Sequence, residues 1–187
     1  MRIPSTSKYH PLHARRRKLS VPFGATRFLS VFEGFEGGFA IGASIVAALS
    51  FTINDRSVLL VTAIISIIVN GFNNASVKYS SEHYLDELDG KETPRPYRYY
   101  FVPALLEFVA YIAISFLSIL PLIFISDLVT AVSVNITVTL VMLFVAGYWR
   151  AYMLRMPKLR DAFETMFIGA GIVVFGVIAG LTVHWIT

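Results

Sequence analysis

Apolar residues run along this chain in five long blocks separated by short polar stretches, at 31–53, 58–77, 101–125, 128–149 and 163–186. Each block can cross a hydrocarbon core of roughly 30 Å, which takes about 20 residues of helix. All are far longer than the roughly 9–11 residues of a barrel strand and none alternates strictly, so the pattern predicts helices. The expected fold is therefore an all-α integral membrane protein, with five transmembrane helices over 31–187 and a preceding arm at 1–30. A short cytoplasmic loop at about 78–100 is the only sizeable hydrophilic connection. Its first part, up to Gly90, continues the second helix, and Pro94 and Pro96 then mark a turn.

Composition points the same way, because 56% hydrophobic and 15% charged residues leave too little polar surface for a water-soluble domain. The 16 Lys and Arg then set the orientation. Seven precede the first span, four lie between spans two and three, and four between spans four and five. The remaining connections hold only Arg56, so the N-terminus is expected to be cytoplasmic and the C-terminus on the other side. The arm has no acidic residue and carries Pro4, Pro11 and Pro22, which suits contact with anionic lipid rather than nucleic acid. The apolar run that follows it lacks a small-residue cleavage pattern, so no cleavable signal peptide is expected. The absence of cysteine excludes disulfides, thiolate metal sites and iron–sulfur ligation.

Polar residues inside the apolar blocks carry the candidate chemistry. Glu33 and Glu36 sit near the head of the first block, among glycines at Gly34, Gly38 and Gly42. An acid costs about 2.5–3.5 kcal/mol at the centre of a spanning helix and is expected to face protein, water or an ion. The glycine stripe is a surface on which another helix backbone can come close. Counted at about 1.5 Å per residue from the nearest cytoplasmic cation, Glu36 and Glu107 lie about 13 Å deep and Asn70 about 12 Å. Glu33 is shallower at about 9 Å, with Asn73 and Glu164 at about 7 and 6 Å. Glu36, Glu107 and Asn70 are thus expected to converge on one layer from three helices. In the loop, Glu82, His83, Asp86 and Glu87 fall on adjoining helix faces, either as a weak divalent-cation capture site or as a solvated helix end. His10, His13, His83 and His184 are scattered, no His-Glu-x-x-His occurs and no nucleophile–base spacing is seen, so an enzyme is not expected.

Several short motifs resemble the vacuolar iron transporter family. Glu36-Gly37-Gly38 resembles the family's Asp-Gly-Leu start of span one, with Glu33-Gly34 as the alternative register. Ser66-Ile67-Ile68-Val69-Asn70-Gly71-Phe72 resembles its Ser-Met-x-x-Gly-x-Tyr, with Ile67 at the family's metal-binding Met. Pro121-Leu122 resembles a recurrent Pro-Leu, and the stretch from Leu159 to Gly169, with Gly180 beyond it, resembles the last span. The chain looks like a short member without the glutamate-rich cytoplasmic domain that many members insert between spans two and three.

The resemblance implies a homodimer whose first spans line a path for ferrous iron or manganese, exchanged for protons, with no tightly bound cofactor. Two copies meeting at the glycine stripe would bring Glu33 and Glu36 of both into one pathway. The expected function is proton-coupled export or sequestration of a divalent metal from the cytosol. The path residues are Glu36, Glu33, Glu107, Asn70 and Asn73, in a cell membrane or, in a eukaryote, a vacuolar-type or other internal membrane. The missing Met and cytoplasmic domain support an alternative, a non-transporting scaffold or docking protein, for example for an iron-storage partner.

Overall fold

A computed structural model describes residues 24–90 and 95–186. The arm before residue 24, with His10 and His13, lies outside these, as do Lys91, Pro94 and Thr187. Five helices follow one another: α1 (Ala25–Ser50), α2 (Arg56–Leu88), α3 (Val102–Phe124), α4 (Leu128–Leu154) and α5 (Lys158–Ile186). A π-helical turn, Tyr97–Phe101, leads into α3. All five are long and apolar enough to span a membrane, and the chain is an integral membrane protein.

Most helices extend past the apolar blocks that announce them. The first begins at Ala25, so the last residues of the segment read as an arm are already helical. α2 runs to Leu88 and ends at Gly90, whose φ of 65° suits a residue without Cβ. α4 runs on to Leu154, closed by Arg155 in the left-handed region (φ 56°), and α5 resumes at Lys158, after Pro157. Arg150 and Asp161 are therefore helical residues rather than loop residues. The connection after α2 shrinks to 89–96, much shorter than the expected loop.

Both tight connections at the opposite end use an aspartate cap. Asp55 Oδ1 accepts from the Val58 amide (2.9 Å) and Asp127 Oδ2 from the Thr130 amide (2.8 Å), each satisfying an orphan donor of the first turn. The Thr130 side chain and amide hold the exposed Asp127 carboxyl below its ordinary value. Arg56, the cation of the first of these connections, donates to the Leu122 carbonyl near the end of α3, just after Pro121.

α1 is the middle of the bundle and touches all four other helices. Half of its apolar window is buried, against 17–33% for the others. Small residues make that possible. A methyl group on Gly34 would strike the Glu107 carbonyl of α3, and one on Gly38 would stand 2.7 Å from the Tyr111 carbonyl and 3.0 Å from Ile114. Gly42 meets Ser118 in the same way (2.7 Å). Ser115 Oγ donates to the Gly38 carbonyl across this seam (3.0 Å). On another face Gly176 and Gly180 of α5 approach Ser44 and Ala48, and Ser44 Oγ donates to the Ile172 carbonyl (3.1 Å). The stripe expected to join two protomers thus packs α1 against α3 of the same chain. A GxxxG pattern reports close approach and says nothing about which helix approaches.

Candidate functional site: two carboxylate clusters with internal cations

The basic end of the bundle holds two charge clusters, each built around a cation from a spanning helix. Lys78 is in the part of α2 that extends beyond its apolar block, where the polar sequence still supports a helix but now runs beside α1 and α3. Its ammonium, only 11% exposed with its side chain, contacts Glu33 of α1, Glu82 one turn further along α2 (3.3 Å) and Glu107 of α3 (3.8 Å). Glu107 is buried, and its Oε2 makes no hydrogen bond within the protein. Three carboxylates against one ammonium leave a formal excess of two negative charges, which matches one divalent cation.

The second cluster joins α1, α4 and α5. Arg150 Nε and Nη2 grip both oxygens of Asp161 (3.1 and 3.2 Å), Nη2 also reaches Thr165 Oγ1 (3.1 Å), and Nη1 reaches Glu36 Oε1 (2.5 Å). The planar fork suits this two-sided grip. The Pro157 turn folds α4 and α5 into a hairpin that brings Arg150 opposite Asp161, eleven residues later. Close packing of Gly147 against Asp161, Ala162 and Thr165 sets the spacing.

The expected layer of Glu36, Glu107 and Asn70 does not form within the chain. Glu36 joins Arg150, and Glu107 joins Glu33 at Lys78. Asn70 Nδ2 donates to the Ser66 carbonyl of its own helix (3.0 Å), and Asn73 is exposed. Depth along a helix fixes the level of a side chain but not its direction around the axis, and direction decides these partnerships.

The quartet after span two is also divided. Glu82 belongs to the Lys78 cluster. His83 lies among aromatic rings, 5.9 Å from Tyr79 and 5.1 Å from Tyr100 between centroids. Asp86 Oδ2 accepts from the Tyr100 hydroxyl (2.9 Å), and Glu87 is exposed. Among the described residues no three acidic or histidine side chains stand close enough to hold a metal as they are.

Lys78, Arg150, Asp161 and Thr165 are the site members that the sequence reading leaves out. Lys78 and Arg150 count there only as topology cations. The usable signal was length: helices that outrun their apolar blocks carry flanking charges back into the bundle.

Deeper along α3 and α4, Ser118, Asn135 and Thr139 are buried with side-chain atoms that make no hydrogen bond within the protein, as is the Tyr111 hydroxyl. Thr139 lies about 16 Å from Arg150 along α4, and Ser118 about 16 Å from Glu107 along α3.

A five-helix bundle with charges and polar groups held in its interior defines a polytopic membrane protein with a polar core. The model of the VIT family matches residues 77–181, more than half of the chain, and the chain belongs to that family, the vacuolar iron transporters. Over 62 residues it is 39% identical to vacuolar iron transporter 1 of Arabidopsis thaliana, a stretch covering 33% of this chain and 25% of the plant protein. The family match includes Lys78, Glu82, Glu107, Arg150 and Asp161 and leaves α1, with Glu33 and Glu36, outside it.

Proposed function

We propose that this protein carries a divalent metal, ferrous iron or manganese, across a membrane away from the cytosol, in exchange for protons. The observation that carries this reading is the Lys78 cluster. Its three carboxylates come from three helices, one is buried with an oxygen that makes no hydrogen bond and meets Lys78 only at ion-pair distance (3.8 Å), and the net charge of minus two suits one divalent ion. Membership of the VIT family supports metal as the cargo.

The ion enters from the cytoplasmic, basic end by displacing the Lys78 ammonium from Glu33, Glu82 and Glu107. It then passes to Glu36, where Arg150 must give way. Carboxylates released by the metal take protons on the return, which gives exchange a physical basis. Tyr111, one turn beyond Glu107, and then Ser118, Asn135 and Thr139 offer polar atoms without a hydrogen-bond partner further along the path. Because the glycine stripe is used inside the protomer, a homodimer in this proposal meets through other surfaces, and its path is completed within each chain or by those surfaces.

One observation favours the non-transporting alternative: every acid of the two clusters already faces an internal cation, and no ready-made metal site stands among the described residues. Purified protein in liposomes separates the two. Transport predicts uptake of Fe2+ or Mn2+ down its gradient with proton movement in the opposite direction. A scaffold leaves both at the rate of protein-free vesicles.

A further inference from the structure

At the basic end, α1, α3 and α4 enclose a cleft of about 750 Å³ with almost wholly apolar walls, among them Phe28, Val31, Phe35, Leu106, Met142 and Trp149. Arg27 also lines an adjoining notch of about 430 Å³ with mixed polar and apolar walls, bounded by Thr26, Arg98, Tyr99 and Pro103. Arg27 and Arg98 form no ion pair among the described residues. The two spaces therefore make one amphiphilic groove, apolar along the membrane and cationic where the membrane meets water. Trp149, 59% exposed beside the cleft, is a residue type that settles at that boundary.

We propose that this groove is a binding site for one anionic phospholipid, with an acyl chain in the Val31 cleft and its phosphate between Arg27 and Arg98. The charge pattern selects this occupant. A second copy seated symmetrically would bring a second Arg27 and Arg98 into the same contact, since a two-fold interface uses the same patch on both chains. The first 23 residues contain no acid to pair with them. A zwitterionic lipid would fill the cleft equally well but add a cation to a cationic notch. The proposal is independent of the metal path, which uses none of these residues.

Native mass spectrometry of the full chain, released from micelles containing dioleoylphosphatidylglycerol or dioleoylphosphatidylcholine, tests it. One phosphatidylglycerol per chain is expected to be retained in preference to phosphatidylcholine. Changing Arg27 and Arg98 to Gln should weaken that preference by about fivefold per arginine, the worth of one cation near an anionic surface. Lys at both positions should preserve it, which separates lost charge from lost folding. Val31→Trp, which fills the cleft floor, should release the lipid with both arginines intact.

Equal retention of the two lipids, or a preference untouched by the Gln pair, overturns the site. So does full competition by glycerol 3-phosphate, which has the phosphate without the tails. Disulfide capture of a second chain through Val31→Cys would assign the cleft to a protomer interface and overturn it as well.

Discussion

The Arg150 guanidinium of α4 faces the Glu36 carboxylate of α1 through one nitrogen while its other donors are held by Asp161 and Thr165 of α5. Arg150 is thus fixed to the α4–α5 hairpin by three hydrogen bonds and to α1 by one. The contact to Glu36 is the one that can open without dismantling the cluster.

Replacing Arg150 with Met should reveal this as a stability effect. It leaves Glu36 and Asp161 close together with no cation, and removing one partner of a buried pair costs about 3–5 kcal/mol. The side chains here retain some exposure (21% for Arg150), so the lower end of that range is expected in thermal unfolding in detergent. A variant that melts like the parent would mean that the pairing contributes nothing to the fold.

The glycines offer a test of α1 as an internal helix. Gly38→Leu, and even Gly34→Ala, should separate α1 from α3 and cost about 1–3 kcal/mol, as overpacking does. Gly171→Ala is the control, because nothing stands within 4 Å of an added Cβ there and a helical alanine is up to about 1 kcal/mol better than glycine. Loss of dimers with unchanged protomer stability in the Gly38 variant would return the stripe to an interface between chains.

Much of this architecture is written in the sequence as hydrophobic length. Five apolar blocks announce five helices, and Gly90 stops α2 where the chain suggests. The site is less legible, because a single sequence carries depth but not rotation or pairing. Glu107 and Glu36 sit at similar depths yet meet different cations, Lys78 and Arg150. The Glu33–Lys78 contact spans 45 positions, and no local spacing encodes it. Helix ends escape a hydropathy reading for a related reason: Asp161, Thr165 and Glu36 pair Arg150 inside the bundle, so the backbone stays helical beyond the apolar block without exposing that charge to lipid.

Labelling can fix the orientation. Cysteine at the exposed Glu87 is expected to react with an impermeant thiol reagent only from the cytoplasmic side, and cysteine at Ile186 only from the opposite side. The odd number of spans requires opposite faces, so reaction of both from one side would remove a helix from the membrane.

Lys78→Gln tests whether the metal and the ammonium compete for the same carboxylates. Removing the ammonium leaves Glu33, Glu82 and Glu107 with three uncompensated charges, so half-saturation for Mn2+ uptake should fall. A unit charge at 4 Å is worth about 1 kcal/mol even at the dielectric of water, so a shift of at least about fivefold is expected. Maximal uptake should fall too, because the ion now leaves its carboxylates less readily. Glu82→Gln should act oppositely on half-saturation, and Glu87→Gln, at an exposed position outside the cluster, should leave it unchanged. An unaltered half-saturation in Lys78→Gln would separate the cluster from the entry path.

Glu36→Gln carries the transport reading furthest. Gln keeps the size of the side chain and an oxygen that can accept from Arg150 Nη1, while Asp161 and Thr165 retain their hold on the guanidinium. The stability loss should therefore stay within about 1 kcal/mol, the worth of one ordinary hydrogen bond. What the variant lacks is the charge needed to receive a metal ion and the proton that replaces it, so uptake should be abolished in liposomes made from protein with a near-parental melting temperature. Glu33→Gln should be milder, since Glu82 and Glu107 remain at Lys78. Normal uptake in Glu36→Gln with a dead Glu33→Gln would move the path to the Lys78 cluster alone. Normal uptake in both would make these acids structural and remove the basis for exchange along α1.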